Sequence, residues 1–155
     1  MEATISHTTT ISGINITDPN AIRKAVDNLR ARGVDISLVE NATPRMYFPH
    51  QEAEVGSCDF VLKLPNARYD VGLKKQEDGT YAPIFDEWAN SVGQQLGGQC
   101  AIPQTAEEKS MWAVGAFSQE YAKEAAITAA QSQGYSVQSA STDADGNVNL
   151  VFQGY

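Results

Sequence analysis

Residues 69–85 read YDVGLKKQEDGTYAPIF and contain the clearest fold signal in the chain, a hairpin of two strands. Apolar and polar side chains alternate along 69–73, Asp78-Gly79 supplies a tight turn, and a second strand follows over 81–85. Glycine tolerates the positive φ that such turns require, because it has no Cβ to clash with the backbone. The stretch therefore predicts an antiparallel β-hairpin.

The sequence before this hairpin predicts a helix among strands. Asp18 is placed as an N-cap, and Pro19 follows at the first helical position, where its missing N–H costs nothing. Apolar residues recur at helical spacing as far as Leu29, and Gly33 is placed to end the helix in a left-handed conformation. Alternating or Thr/Ile-rich stretches predict strands at 4–11, 34–39 and 60–64.

Two stretches are interpreted as loops. Residues 41–57 contain Pro44, Pro49 and Gly56, with a possible short strand at 46–48. The stretch near residues 89–104 is rich in Gly, Gln and Asn and is predicted to be a flexible inserted loop on the surface.

The C-terminal third predicts helix followed by hairpin. Thr105 and Glu108 form a capping-box pattern, and helix-favouring residues run from there to Gln133 and stop at Gly134. Gly115 and Phe117-Ser118 are two candidate points for a division of this run into two helices, so its continuity is left open. Strands at 135–141 and 148–152 flank a second Asp-Gly turn. Both hairpins share the order Tyr-x-Val, Asp-Gly, Phe, which indicates either common turn chemistry or a duplicated helix-plus-hairpin plan.

These elements predict one α+β domain over residues 1–155. We expect an antiparallel sheet with two main helices packed on one face, in a ferredoxin-like-related βαβ-hairpin-α-hairpin order. A chain of this length buries enough apolar surface to fold without a metal or a disulfide framework.

The charge balance limits the classes of partner. The formal net charge is −8 and the eleven basic residues are scattered, which disfavours nucleic acid and anionic lipid. No apolar run approaches the ~18 residues of a membrane span, and the N-terminus lacks a signal-peptide pattern. Cys58 and Cys100 do not form a CxxC pair, so a reduced, cytoplasmic location is expected, or the host cytoplasm if the protein is viral.

No residue pattern predicts catalysis, and we expect neither a cofactor nor a metal. A cysteine-dependent enzyme would need His7 or His50 to approach Cys58 or Cys100, which nothing in their spacing demands. The Asp-rich turn near residue 145 resembles a calcium loop, but Phe152 stands where the bidentate carboxylate is required.

Aromatic residues in or beside predicted loops favour a binding function, because a ring offers a large contact area at low entropic cost. They are Tyr47, Phe48, Trp88 and Trp112. The binding region predicted here comprises Arg68, Tyr69, Asp86, Glu87 and Trp88.

Two functions follow from these features. The favoured one is a non-enzymatic binding or adaptor protein that acts on a protein partner, and the sequence leaves open whether this chain is also a homo-oligomer. The alternative is a nucleotide-binding or nucleotide-sequestering protein, in which Arg45, Arg68, Lys74 and the Gly-rich loop would surround phosphate.

Several short motifs, in order along two thirds of the chain, carry a family resemblance: residues 68–73 (RYDVGL), 85–88 (FDEW), 119–122 (QEYA), 133–137 (QGYSV) and 145–150 (DGNVNL). They resemble a family of small uncharacterised proteins from cyanobacteria and red-algal plastids, the hypothetical chloroplast reading frame thirty-five type, which also occurs in phages. The longer N-terminus and the insertion at 91–105 depart from that pattern. The resemblance implies a fold, no mechanism, and a possible phage-encoded factor acting on a host protein.

Overall fold

The protein is described here from a computed structural model, which covers residues 7–10, 16–87, 91–96, 105–142 and 148–154. In chain order the helices and strands are β1 His7–Thr10, α1 Pro19–Ala31, β2 Ser37–Ala42, α2 Pro49–Val55, β3 Cys58–Lys63, β4 Val71–Lys75, β5 Tyr81–Glu87, α3 Ser91–Gln95, α4 Ala106–Ala113, α5 Gly115–Ser132, β6 Ser136–Thr142 and β7 Val148–Gln153. The α+β prediction is confirmed.

Five antiparallel strands form the main sheet, in the order β1-β5-β4-β3-β2. The predicted central hairpin is β4 and β5, with Leu73 opposite Pro83 and Gly79 at φ +88° in its turn. β6 and β7 form a separate two-stranded sheet, so the second hairpin does not extend the first sheet. Strand β2 is one edge of the main sheet.

One face of the main sheet is covered by α1 and α5. Alternate strand residues such as Phe60, Leu73 and Phe85 join apolar residues of both helices in the larger core cluster. Tyr121 of α5 joins the start of α1, because its hydroxyl accepts hydrogen bonds from the amides of Thr17 (2.8 Å) and Asp18 (2.9 Å). The expected pair of main helices on one face is therefore present.

The helix ends follow the sequence signals. The Asp18 carboxylate accepts from the amide of Asn20 at 2.9 Å, and Gly33 adopts φ +96° after α1. Thr105 Oγ1 accepts from the amide of Glu108 at 3.2 Å at the start of α4. The long C-terminal helical run divides at Val114, directly before Gly115, and continues unbroken through Phe117 and Ser118.

Two stretches interpreted as loops contain helices. Within 41–57, Pro49 begins α2, which ends at Val55 before Gly56 adopts φ +68°. Within the inserted segment near 89–104, residues 91–96 form α3 and its turn, where Val92 and Leu96 are fully buried. This part of the segment is therefore packed on the core, and the prediction of a flexible surface loop is wrong for it. Its remaining residues lie outside the described ranges.

The opposite face of the main sheet is covered by residues 43–48 and α2. Met46 and Val55 pack against Cys58, Val61 and Ile84 in a second, smaller core cluster. Residues 43–48 and α2 are consequently an integral layer of the domain. They cover the apolar side chains on the second face of the sheet and present their own outer side chains in place of them.

Candidate functional site

An ion pair whose carboxylate is buried anchors residues 43–48, the connection between β2 and α2. The Asp70 carboxylate has no solvent exposure and lies 3.0 Å from Arg45 Nη2. Arg45 Nε also donates to both carboxylate oxygens at 3.1 Å, and the Arg45 amide donates to Oδ2 at 3.0 Å. Planar, bidentate geometry of this kind is among the strongest charge-assisted contacts in proteins.

The surroundings of this ion pair satisfy the remaining polar groups. The Leu64 amide donates to Asp70 Oδ1 at 3.2 Å, and Lys63 Nζ lies 3.3 Å from Oδ2. Arg45 Nη2 in turn donates to the carbonyls of Leu64 (2.8 Å) and Ala67 (3.2 Å). A single carboxylate thus joins the 43–48 connection to the turn between β3 and β4.

The pKa of Asp70 reflects two opposing effects. Burial alone raises the pKa and is the largest single contribution. The hydrogen bonds from the Arg45 side chain, the Arg45 amide and the Leu64 amide, together with the guanidinium charge, outweigh burial and hold the pKa below its usual value. Asp70 is therefore a charged structural anchor rather than a proton donor at neutral pH.

A second buried carboxylate fixes the next residues of the connection. Asp86 of β5 is fully buried, and its Oδ2 accepts from the Tyr47 amide at 2.6 Å. In the sheet, Asp86 stands opposite Thr8 of β1. One carboxylate from the turn before β4 and one from β5 thus orient Arg45 and Tyr47, which are only two residues apart.

The result is an exposed group of rings, here called the aromatic patch and defined as Tyr47, Phe48 and His50. The Tyr47 and Phe48 rings meet edge to face with centroids 4.3 Å apart, and the Phe48 and His50 rings stack at 5.2 Å. Tyr47 is 44% exposed and Phe48 is 40% exposed, despite their apolar rings. Tyr69, which is nearly buried, lies beneath Tyr47 with its ring centroid 6.3 Å away.

The structure brings two of the five predicted binding residues to the aromatic patch. Tyr69 and Asp86 both support Tyr47, one by ring contact and one by a hydrogen bond. Arg68 is exposed in the turn before β4, and Glu87 ends β5. Trp88 lies outside the described residues.

The residues that sequence reasoning missed are Arg45 as an anchor and His50 as a member of the patch. Tyr47 and Phe48 were detectable as adjacent aromatic residues near prolines, but Arg45 and Asp70 are 25 positions apart and share no local pattern. Trp112, also noted in the sequence, is half-buried in α4, where its ring would collide with any side chain at Gly93.

Two cations invoked for nucleotide binding are engaged within the protein. Arg45 is held by Asp70, and Lys74 Nζ donates to the Val55 carbonyl at 2.6 Å, at the end of α2. A groove of about 360 Å³ between α1 and β2 also contains arginines, but Arg23 pairs there with Glu40 at 2.7 Å. The positive charge of Arg23 is therefore already compensated by the Glu40 carboxylate.

Cys58 lies beneath the connection rather than at the surface. It is 1% exposed, and burial, opposed by the charge of Lys74, raises the pKa of its thiol. A raised pKa disfavours the thiolate, which is the nucleophilic form. His50 stacks on Phe48 at the surface rather than on Cys58. Cys100 lies outside those ranges.

The fold and site define an α+β domain that displays an aromatic patch on an ion-paired connection. Residues 35–151 match the sequence model of a family described as "Protein of unknown function (DUF1257)". The match covers three quarters of the chain, so the protein belongs to this family. Membership in an uncharacterised family is thereby confirmed, while the cyanobacterial, plastid and phage distribution stays a prediction.

The other comparisons add no relative. Neither a curated protein nor a solved structure matches the chain. Among the residues that the structure covers, none of the helices has the length and apolar character needed to span a bilayer.

Proposed function

We propose that this protein is a non-enzymatic binding or adaptor domain that docks a protein partner on the aromatic patch. The observation that supports this most strongly is the exposure of Tyr47 and Phe48 on a connection held from beneath by Asp70 and Asp86. Leaving two adjacent rings in water forgoes the free energy of their burial. Contact with a partner would recover it.

The rigidity of the connection supports a docking role over a mobile loop. Arg45 and Tyr47 are each fixed by a buried carboxylate, while Met46 between them is buried in the smaller core cluster. A surface that is ordered before binding loses less conformational entropy when the partner arrives. The rings therefore form a preorganised contact surface.

The charge of the chain favours a basic partner. The formal net charge is −8, and α2 beside the patch contributes Glu52 and Glu54 without any Lys or Arg. Exposed aromatic faces also attract Arg and Lys cations. We expect the docking segment of the partner to combine apolar side chains with Lys or Arg, and its association rate to fall with added salt.

A comparative capture experiment tests this proposal. The wild-type chain, a Tyr47→Ala/Phe48→Ala variant and a Met111→Ala variant are immobilised and exposed to extract from the native source. Met111 is the matched control, because it is an apolar side chain that is 51% exposed on α4. A protein retained by the wild type and by Met111→Ala but lost with the double variant supports the proposal. Equal retention by all three, or by none, contradicts it.

The nucleotide-binding alternative has a separate test. Ligand at ~100 times its dissociation constant stabilises a protein by roughly 2.7 kcal/mol, which a thermal-shift screen detects. Because Arg45 and Lys74 already have acceptors within the protein, we expect no shift with nucleotides. A shift that Arg68→Ala abolishes would favour the alternative.

A further inference from the structure

The two strands of the C-terminal hairpin are exposed and carry no charged residue, whereas Asp143 and Asp145 stand in the sequence between them. No Asp, Glu, Lys or Arg occurs from Ala125 to Thr142 or from Val148 to Gly154. Val151 of β7 is nevertheless 48% exposed, and Tyr135 before β6 is 45% exposed. The charged residues of the described ranges all lie before Ala125, so the two strands form an uncharged surface on an otherwise acidic chain.

Both outer edges of the hairpin are open within the described part of the chain, because β6 and β7 pair only with each other. An isolated two-stranded hairpin is marginally stable in water. Native proteins usually protect exposed edges with Lys, Pro or bulges, and neither strand contains Lys or Pro. The only irregularity is a register shift on β6 between Val137 and Ser139, so β7 has the regular edge.

The central hairpin, formed by β4 and β5, shows the same kind of unit with both of its outer edges paired. It shares the order Tyr-x-Val, Asp-Gly, Phe with the C-terminal hairpin. In the main sheet, β4 is paired on its outer side by β3, and β5 is paired by β1. Among the residues that the structure covers, no strand pairs with the outer side of β6 or β7, so the same kind of unit is left there with two unpaired edges.

We infer that β7 pairs with β7 of a second copy of this chain, which joins the two hairpins into a four-stranded antiparallel sheet. A second copy fits because two chains of charge −8 repel each other least where the facing surfaces are uncharged, and the strands of this hairpin carry no charged side chain. A two-fold axis at Val151 places this residue opposite Val151 of the second copy. Leu150 then faces Phe152 of the second copy, and Asn149 faces Gln153.

This register makes a sharp test possible. Val151→Lys places two like charges directly opposite each other across the axis, where side chains are about 5 Å apart. Val39→Lys is the matched control, because Val39 is also a valine on an edge strand, β2, and is 37% exposed. Sedimentation over a concentration series measures the mass of each protein, and circular dichroism verifies that each is folded.

The wild type and Val39→Lys are expected at twice the 16.7 kDa chain mass at high concentration, and Val151→Lys at the single chain mass. A wild-type chain that stays monomeric at hundreds of micromolar overturns the inference. In that case any partner that pairs with β6 or β7 would have to be a different protein. A dimer that survives Val151→Lys, or that Val39→Lys disrupts instead, also overturns it.

A covalent test covers the case in which Val151→Lys fails to fold. In a Cys58→Ser/Cys100→Ser background, Val151→Cys should form an intermolecular disulfide under mild oxidation, because the two thiols would face each other at the axis. Val39→Cys in the same background should remain monomeric on a non-reducing gel. Equal cross-linking of both variants, or none at residue 151, contradicts pairing through β7.

Discussion

Asp70 Oδ1 lies 3.0 Å from Arg45 Nη2, and this ion pair ties the connection that displays the aromatic patch to the turn before β4. The two partners differ in exposure, because the Asp70 side chain is fully buried whereas that of Arg45 is 43% exposed. Losing one partner therefore does not have the same consequence as losing the other.

Arg45→Ala should destabilise the fold more than Asp70→Asn. Removing the Arg45 side chain leaves a buried carboxylate with Lys63 as its nearby cation and two backbone amides as donors, and removing one partner of a buried pair typically costs about 3–5 kcal/mol. Asp70→Asn leaves a guanidinium that can reach water, so its cost is expected to be about 1–3 kcal/mol. Asp27→Asn, in an exposed ion pair with Arg30, is the control and should change the free energy of unfolding by less than about 1 kcal/mol. Urea unfolding measures all three, and the reverse order for the first two variants would contradict this assignment.

Stability should fall in acid because of the same carboxylate. The pKa of Asp70 is depressed in the folded protein, against about 3.9 in an unfolded chain. Its contribution is therefore fully present above about pH 4 and is lost as the pH falls through the lower folded pKa. The free energy of unfolding of the wild type, measured between pH 6 and pH 2, should decline more steeply than that of Asp70→Asn. Parallel curves would show that Asp70 is not the group responsible.

Gly72 should not tolerate a side chain. A Cβ at Gly72 would lie 2.7 Å from Cys58 Sγ and 3.0 Å from Pro44 Cγ, so Gly72→Ala should cost about 1–3 kcal/mol by overpacking. The cost should shrink in a Cys58→Ala background, which removes the closer contact. Gly115→Ala is the control, since no heavy atom lies within 4 Å of its Cβ position. Thermal melts of the four variants test this, and additive effects of Gly72→Ala and Cys58→Ala would contradict the packing described.

The Cys58 thiol should be unreactive in the folded protein. It is buried and its pKa is raised, so little thiolate is present at pH 8. In a Cys100→Ser background, a colorimetric thiol reagent should react slowly under native conditions and rapidly in urea. Cys58→Ser should also retain any partner captured by the wild type. Rapid native labelling, together with loss of capture, would instead favour a cysteine-dependent activity.

The elements predicted best are those whose signals are local. Asp78-Gly79 and Asp18-Pro19 define a turn and a helix start within a few residues, and both are present as predicted. Helix α2 was missed because Pro44, Pro49 and Gly56 read as loop residues, although Pro49 in fact occupies the first turn, where proline is tolerated.

The site was predictable only in part, because its contacts join distant positions. Tyr69 and Asp86 were selected from the motifs around them, but their relation to Tyr47 depends on β4 and β5 lying beneath the connection. That layer is created by burial of Met46 and Val55 on the second face of the sheet, which no periodicity in residues 41–57 reveals. Which surface a sheet exposes is decided by packing between segments, and a local pattern does not report it.

The most direct measurement for the proposed docking role is site-specific photo-crosslinking in the native cells. A photoreactive phenylalanine analogue is placed at Phe48 in one variant and at Met111 in another, both at exposed apolar positions. We expect a discrete cross-linked protein from position 48 that is absent from position 111 and that diminishes when Tyr47 is also changed to Ala. No adduct at position 48, or the same adducts at both positions, would contradict a partner docked on the aromatic patch.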